Sequence, residues 1–290
     1  MPASSNPQRE YPSTYIVQDR ASQEELTRLQ IQDELATTSM GGVLPEQTEP
    51  EGFRRVLDVG CGPGGWLIET AKTYPTLSLL IGVDVNKKVL DYARARAEVE
   101  QINDRVEFHE MDALQILAFP AGYFDLVNLR AGVSWLRTWD WPNLLREFQR
   151  VTRPGGVIRL TESNMIIDES SSPALIRLNQ VFVAALCQAG HLFSPDKDGI
   201  LGHLPRLLYQ QGIQNVQTRT YTMSYRAGTP EGQDFQENMK RAFRMGLPFM
   251  KKWTNVPDNY EEIYQQMLQE MQDPDFVTQF HLLTAWGTTP

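Results

Sequence analysis

The chain has 290 residues, a formal net charge of −9 and a pI near 5.1, with 41% hydrophobic and 22% charged side chains. That acidic balance disfavours nucleic acid as a partner, and no apolar run reaches the roughly 18 residues of a membrane span. The opening MPASSNPQREYPSTY lacks the apolar core of a secretory signal, and Cys61 and Cys187 form neither a CxxC pair nor a zinc pattern, which points to a reduced, cytoplasmic protein.

Ser22 and Glu25 form an S-x-x-E capping box, Leu26, Leu29 and Leu35 share a helical stripe, and Gly41-Gly42 end that helix. LPEQTEPEG reads as a linker, so residues 1–52 form an N-terminal cap and residues 53–290 the main domain. From Arg54 to Glu162 strands and helices alternate. RRVLDVG, LSLLIGVDV, RVEFHEMDA, FDLVNLRA and VIRLTES read as buried strands. Helices are expected from about Gly64 to Thr73, after an Asn86 cap, and from Asp140 with Pro142 in the first turn and Leu144, Leu145, Phe148 and Val151 turned inward. Such alternation implies right-handed crossovers and a parallel, doubly wound α/β sheet.

Further on, Pro173 to Gly190 and HLPRLLYQQG read as helices and VQTRTYTMSY as a strand. Glu231 to Asp273 reads as a helix interrupted at Gly246-Leu247-Pro248 and again at Pro257, and FVTQFHLLTAWG as the closing strand. Helical insertions at about 165–202 and 228–274 fall where they form a lid over the crevice at the strand ends.

The glycines of VLDVGCGPGGW fit two cofactors. Gly60, Gly62 and Gly65 satisfy the G-x-G-x-x-G of a dinucleotide turn, and Gly60, Gly62 and Gly64 satisfy a G-x-G-x-G turn that holds S-adenosylmethionine. Asp58 precedes the loop, Asp84 ends the second strand and Asp112 follows the third. Converging carboxylates suit a cationic ligand rather than a pyrophosphate, since an aligned charge pair at ~4 Å is worth roughly 4 kcal/mol at an effective dielectric near 20, before desolvation.

VLDVGCGPGGW, LLIGVDVN, VEFHEMDAL, FDLVNLRA and LLREFQRVTRPGGVIRLTES stand in the order and spacing of class I S-adenosylmethionine-dependent methyltransferases. The chain most resembles small-molecule enzymes of the ubiquinone/menaquinone-biosynthesis type and the related LaeA-like group. LTAWG is similar to the antiparallel seventh strand of that Rossmann-like, seven-stranded, mostly parallel sheet, and RLQIQDEL to a helix lying over the cofactor. The resemblance implies S-adenosylmethionine as cofactor, with no metal. It places Gly60, Cys61, Gly62 and Gly64 along the methionine portion, with Asp58 near its ammonium. It assigns Asp84 to the ribose hydroxyls, Val85, Met111, Asp112 and Ala113 to the adenine, and Leu129 and Arg130 to the donor's ammonium and carboxylate. Arg28 or Gln32 can complete that cover, with plain helix-surface positions the favoured reading, and Gly65 is read as serving helix packing.

Methyl transfer needs alignment and exclusion of water, and a base only where the acceptor enters protonated. Candidate catalytic groups are His191, His203 and Glu162, and candidate acceptor contacts are Tyr15, Trp135, His191 and His203, with Tyr11 beside Tyr15. His109 and His281 read as packing residues of strands. NLRA stands where amino-group methylases of nucleic acid carry Asn/Asp-Pro-Pro-aromatic. Met239, Met245, Met250, Met267 and Met271 offer pliable thioethers for either a pocket or a core. The expected function is methyl transfer to a small apolar or aromatic metabolite. An NAD(P)-dependent oxidoreductase and a non-catalytic regulator on the same fold remain open alternatives.

Overall fold

The computed structural model describes residues 15–19, 21–196 and 199–290; Tyr11 lies outside the described residues. Helix α1 (Gln23–Met40) starts at Ser22, whose hydroxyl accepts from the Glu25 N–H, and ends at Gly41 in the left-handed region. Only half of the expected capping box forms: the Glu25 carboxylate turns inward to Tyr15 and Arg28 instead of back to the cap. Strand β1 (Arg55–Val59), helix α2 (Gly65–Thr73), β2 (Leu79–Asp84), α3 (Lys87–Val99) and β3 (Val106–Glu110) follow, and the Asn86 side chain caps α3 as expected. Turns rather than a helix join β3 to β4 (Phe124–Arg130). Helix α4 (Trp141–Val151) buries Leu144, Leu145, Phe148 and Val151 before β5 (Thr152–Ser163).

The C-terminal half contains β6 (Glu169–Ser170), α5 (Pro173–Gln188), α6 (Leu204–Gln210), β7 (Gln214–Arg226), α7 (Pro230–Trp253), α8 (Tyr260–Glu270) and β8 (Val277–Thr288). The expected break at Gly246-Leu247-Pro248 is absent, and α7 runs through Pro248. An interior proline costs about 3 kcal/mol. Burial of Phe235, Phe243, Phe249 and Met250 along α7 offsets that cost, and the chain leaves the helix only after Trp253.

Strands β1 to β5 pair in parallel in the order β3-β2-β1-β4-β5, and β8 lies antiparallel between β5 and β7. Among the described residues eight strands stand where seven were expected. The extra one, β6, pairs with Thr278 and Gln279 of β8 on the edge that β5 occupies further along. Residues alternate between the faces: Val56, Leu80 and Leu126 pack under α2 and α3, and Leu57, Ile81 and Val127 under α4. No helix among the described residues is long and apolar enough to cross a membrane.

Candidate functional site

A cavity of about 630 Å³ lies at the carboxyl ends of the parallel strands, where the strand order reverses between β1 and β4. Gly60 and Gly62 carry φ of 68° and 51° in the turn after β1, and a Cβ on Gly60 would meet the Trp135 ring at 3.1 Å. The N–H groups of Gly60 and Cys61 donate to the Val83 carbonyl at 2.8 and 3.0 Å, pinning the loop to β2. Gly64 and Gly65 exchange their expected places. A Cβ on Gly64 would strike Phe108 at 2.7 Å on the side of the loop facing β3, and Gly64 is not on the cavity wall. Gly65 lines the cavity, and the Asp33 carboxylate of α1 stands where its Cβ would be.

Five carboxylates line the cavity, Asp33, Asp58, Asp84, Asp112 and Glu162, against two arginines, Arg28 and Arg130. Asp84 accepts from Gly62 N–H at 3.2 Å and from Asn86 N–H at 2.9 Å, so its carboxylate is fixed across the glycine loop. Asp112 is exposed and accepts from Leu114 N–H at 2.9 Å. Val85, 44% exposed, lies on the wall with Met111 and Ala113. Asp58 is buried beneath the loop and takes a hydrogen bond from Asn128 Nδ2 at 2.7 Å. Burial pushes its carboxyl up to about 7, against the pull of Asn128 and Arg159. Leu129 is buried inside β4, off the wall. Arg130 is on the wall but engaged by α1, through an ion pair with Asp33 and a hydrogen bond to Thr37 Oγ1 at 3.0 Å.

Helix α1 closes one side with a buried polar cluster, so that Arg28 and Gln32 lie on the cavity wall rather than at the favoured helix-surface positions. Arg28 is 4% exposed and donates to Glu25 at 2.7 and 2.8 Å and to Gln32 at 2.6 Å. Tyr15 donates to Glu25 at 2.5 Å, and burial holds its hydroxyl above the usual phenol range. The S-x-x-E spacing concealed this cluster, because Glu25 has the local partner a capping box would need. Arg28, one turn after Glu25, was the available signal.

Of the candidate catalytic groups, only Glu162 reaches the cavity. It stands near the end of β5, 1% exposed, and accepts from Val133 N–H at 3.2 Å. Burial pushes its carboxyl up to about 8, against the backbone N–H groups of Val133 and Gly132. His191 is buried behind the wall. Its Nδ1 lies 2.8 Å from the Val133 carbonyl, which can only accept, so the ring steadies the turn that contacts Glu162. His203 stacks on Phe193, centroids 4.2 Å apart, away from the wall. Tyr15 and Trp135 do line the cavity. His109, on the edge strand β3, is exposed rather than buried, beside Glu107 and edge-on to Phe119. His281 is half-buried and meets Thr222 Oγ1 at 3.2 Å.

Residues of α5, β7, α7, β8 and the segment after β5 line the far half of the cavity, among them Met165, Phe182, Met223, Met239, Phe243 and Leu282. Met239 alone of the five α7–α8 region methionines reaches it, and Met250, Met267 and Met271 fill the core. Asn238 of α7, which the sequence reading missed, lines this apolar half. It is 5% exposed, and its Oδ1 has no hydrogen-bond partner among the described residues.

Residues 56–156 match the profile of a methyltransferase domain, spanning β1 to the start of β5 and every strand end around the glycine loop. The chain carries a methyltransferase domain. A relative of this methyltransferase, the probable methyltransferase ltbC of Aspergillus luteorubrus, is 25% identical over 225 residues, 73% of this chain and 76% of that protein. A demethylmenaquinone methyltransferase of Lactococcus lactis is 30% identical over 127 residues, 44% of this chain and 46% of its own length, so the methyltransferase spans about half of that relative. Among solved structures, a putative methyltransferase of Bacillus halodurans superposes with a TM-score of 0.52 at 18% identity, covering 82% of this chain and 94% of that one. The YcgJ protein of Bacillus subtilis gives 0.51 at 17%, covering 82% and 92%. These two share the fold of the methyltransferase.

Proposed function

We propose that this methyltransferase moves the methyl group of S-adenosylmethionine to an acidic hydroxyl, phenolic or enolic, of a small and mostly apolar acceptor. The observation that carries this is the composition of the cavity. A carboxylate-lined half at the glycine loop adjoins an apolar half whose wall holds one carboxyl, Glu162.

The residues present suit the donor. Asp58 and the glycine loop would hold its ammonium end, Asp84 its ribose, and Val85, Met111, Asp112 and Ala113 its adenine. A dinucleotide suits them less: its pyrophosphate belongs at the helix N-terminus after the glycines, and there Asp33 already presents a carboxylate to Gly65. When bound, the donor supplies an electrophilic methyl carbon on a sulfonium. The protein's share is to orient the acceptor, exclude water and hold its proton. Glu162 takes the hydroxyl proton as the oxygen becomes nucleophilic, and a base held near 8 is matched to a weakly acidic hydroxyl. Asn238, whose Oδ1 has no hydrogen-bond partner among the described residues, binds a second polar group of the acceptor. Helices α1, α5 and α7 act as a lid over both halves. A cytoplasmic setting without nucleic acid suits two free cysteines and a net charge of −9.

Incubation with methyl-labelled donor and a panel of phenols and naphthols tests the reading. Labelled methyl ethers are expected from wild type, and Glu162→Gln should lower turnover by about 100-fold or more. Tight donor binding with no transfer to any hydroxyl would favour a regulatory binding protein instead.

A further inference from the structure

A line of fully buried polar groups crosses the sheet beneath the cavity. Asp58 on β1 accepts from Asn128 Nδ2 on β4 at 2.7 Å, Asn128 Oδ1 accepts from Arg159 Nη1 on β5 at 2.8 Å, and Arg159 Nε donates to Glu46 Oε1 at 2.7 Å. Glu46 lies in the connector between α1 and β1, and both side chains of this ion pair are 0% exposed. The chemistry of the four groups fixes the sense of every bond. A guanidinium has donors only, so Arg159 must face the carbonyl oxygen of Asn128, and the Asn128 amide nitrogen is thereby turned to Asp58. Glu46 takes two more donors of Arg159, Nε and, at 3.4 Å, Nη2, and so sets the plane of the guanidinium.

We propose that Glu46 and Arg159 are positioning residues for methyl-donor binding: through Asn128 they orient Asp58 and set how readily it presents a carboxylate to the donor's ammonium. This rests on the donor site proposed above. One oxygen of Asp58 is held by Asn128, and Asp58 lies on the cavity wall. The charges facing Asp58 are Arg159 from β5, which favours its ionised form, and Asp84 from β2, which opposes it. Glu46 acts at one remove, by partly neutralising Arg159. A lone buried ion pair would only add or remove stability, whereas this one carries a signed electrical effect to the cavity.

Binding of S-adenosylhomocysteine, followed by titration calorimetry across pH 5 to 9, separates the possibilities. In wild type the affinity should be level at high pH and fall as pH drops through about 7, the value to which burial lifts the Asp58 carboxyl. Glu46→Gln leaves Arg159 less neutralised, so the midpoint should move down. The charge-balanced pair Glu46→Gln/Arg159→Gln removes the cation and the anchor of Asn128 together, so the midpoint should move up, by about one pH value, with about fivefold weaker binding at pH 7 that recovers at pH 9. Circular dichroism and thermal melting establish that both variants are folded. Weaker binding at every pH with an unmoved midpoint, or movement in the same direction for both variants, overturns the positioning role. No binding by wild type, or binding without a midpoint near 7, instead overturns the donor site itself.

Discussion

Asp84 spans the mouth of the glycine loop with one oxygen on Gly62 N–H and the other on Asn86 N–H. Asp84→Ala should weaken S-adenosylhomocysteine binding by about 1–3 kcal/mol, the scale of lost hydrogen bonds to a charged group, as read by calorimetry. An unchanged Kd in a folded variant would remove Asp84 from the ribose site. Glu162 makes a different demand. Its carboxyl sits near 8 in the folded chain, against about 4.3 in an unfolded one. Folding therefore raises its proton affinity. That contribution to stability is fully present at low pH and is lost as pH rises toward 8. The Tm of wild type should accordingly fall relative to that of Glu162→Gln between about pH 5 and 9, with Gln the more stable at the upper end. Parallel melting curves for the two proteins would contradict a buried, proton-holding Glu162. In turnover the sign reverses, because the base form accumulates as pH rises. Activity should climb through about pH 8 in wild type, and the rise should be missing from Glu162→Gln.

Helix α1 shows which parts of an element a sequence reveals. Its start at Ser22 and end at Gly41 were legible, because caps are local chemistry. The partners of Glu25 and Arg28 were not, because burial of that face depends on α7 and on Tyr15 returning over the cavity. The same holds for Glu46 and Arg159, 113 residues apart, and for Pro248, where packing overrides a local helix breaker. The α1 cluster carries its own prediction. Arg28→Leu leaves Glu25 buried without its cation and should cost about 3–5 kcal/mol in urea unfolding. Glu25→Gln/Arg28→Leu should recover most of that loss. Equal destabilisation by the single and double changes would mean that shape, rather than charge, holds α1 in place.

Across the whole molecule, the parallel strands and the residues at their carboxyl ends were legible, because period and Gly-rich turns mark them. The additional strand β6 and the apolar wall from α5 and α7 were not, since those segments carry no fold-wide pattern and acquire a role only by packing over the strand ends. The four histidines show the difference between residue type and position: none lines the cavity, while Glu162 and Asn238 do. What unites these levels is a single cavity whose loop end is rich in carboxylates and therefore built for a cationic, phosphate-free cofactor. Parallel calorimetric titrations of the full chain with S-adenosylhomocysteine and with NADH test that directly. Saturable binding of S-adenosylhomocysteine with no heat from NADH is the expected result, and binding of NADH alone would contradict it.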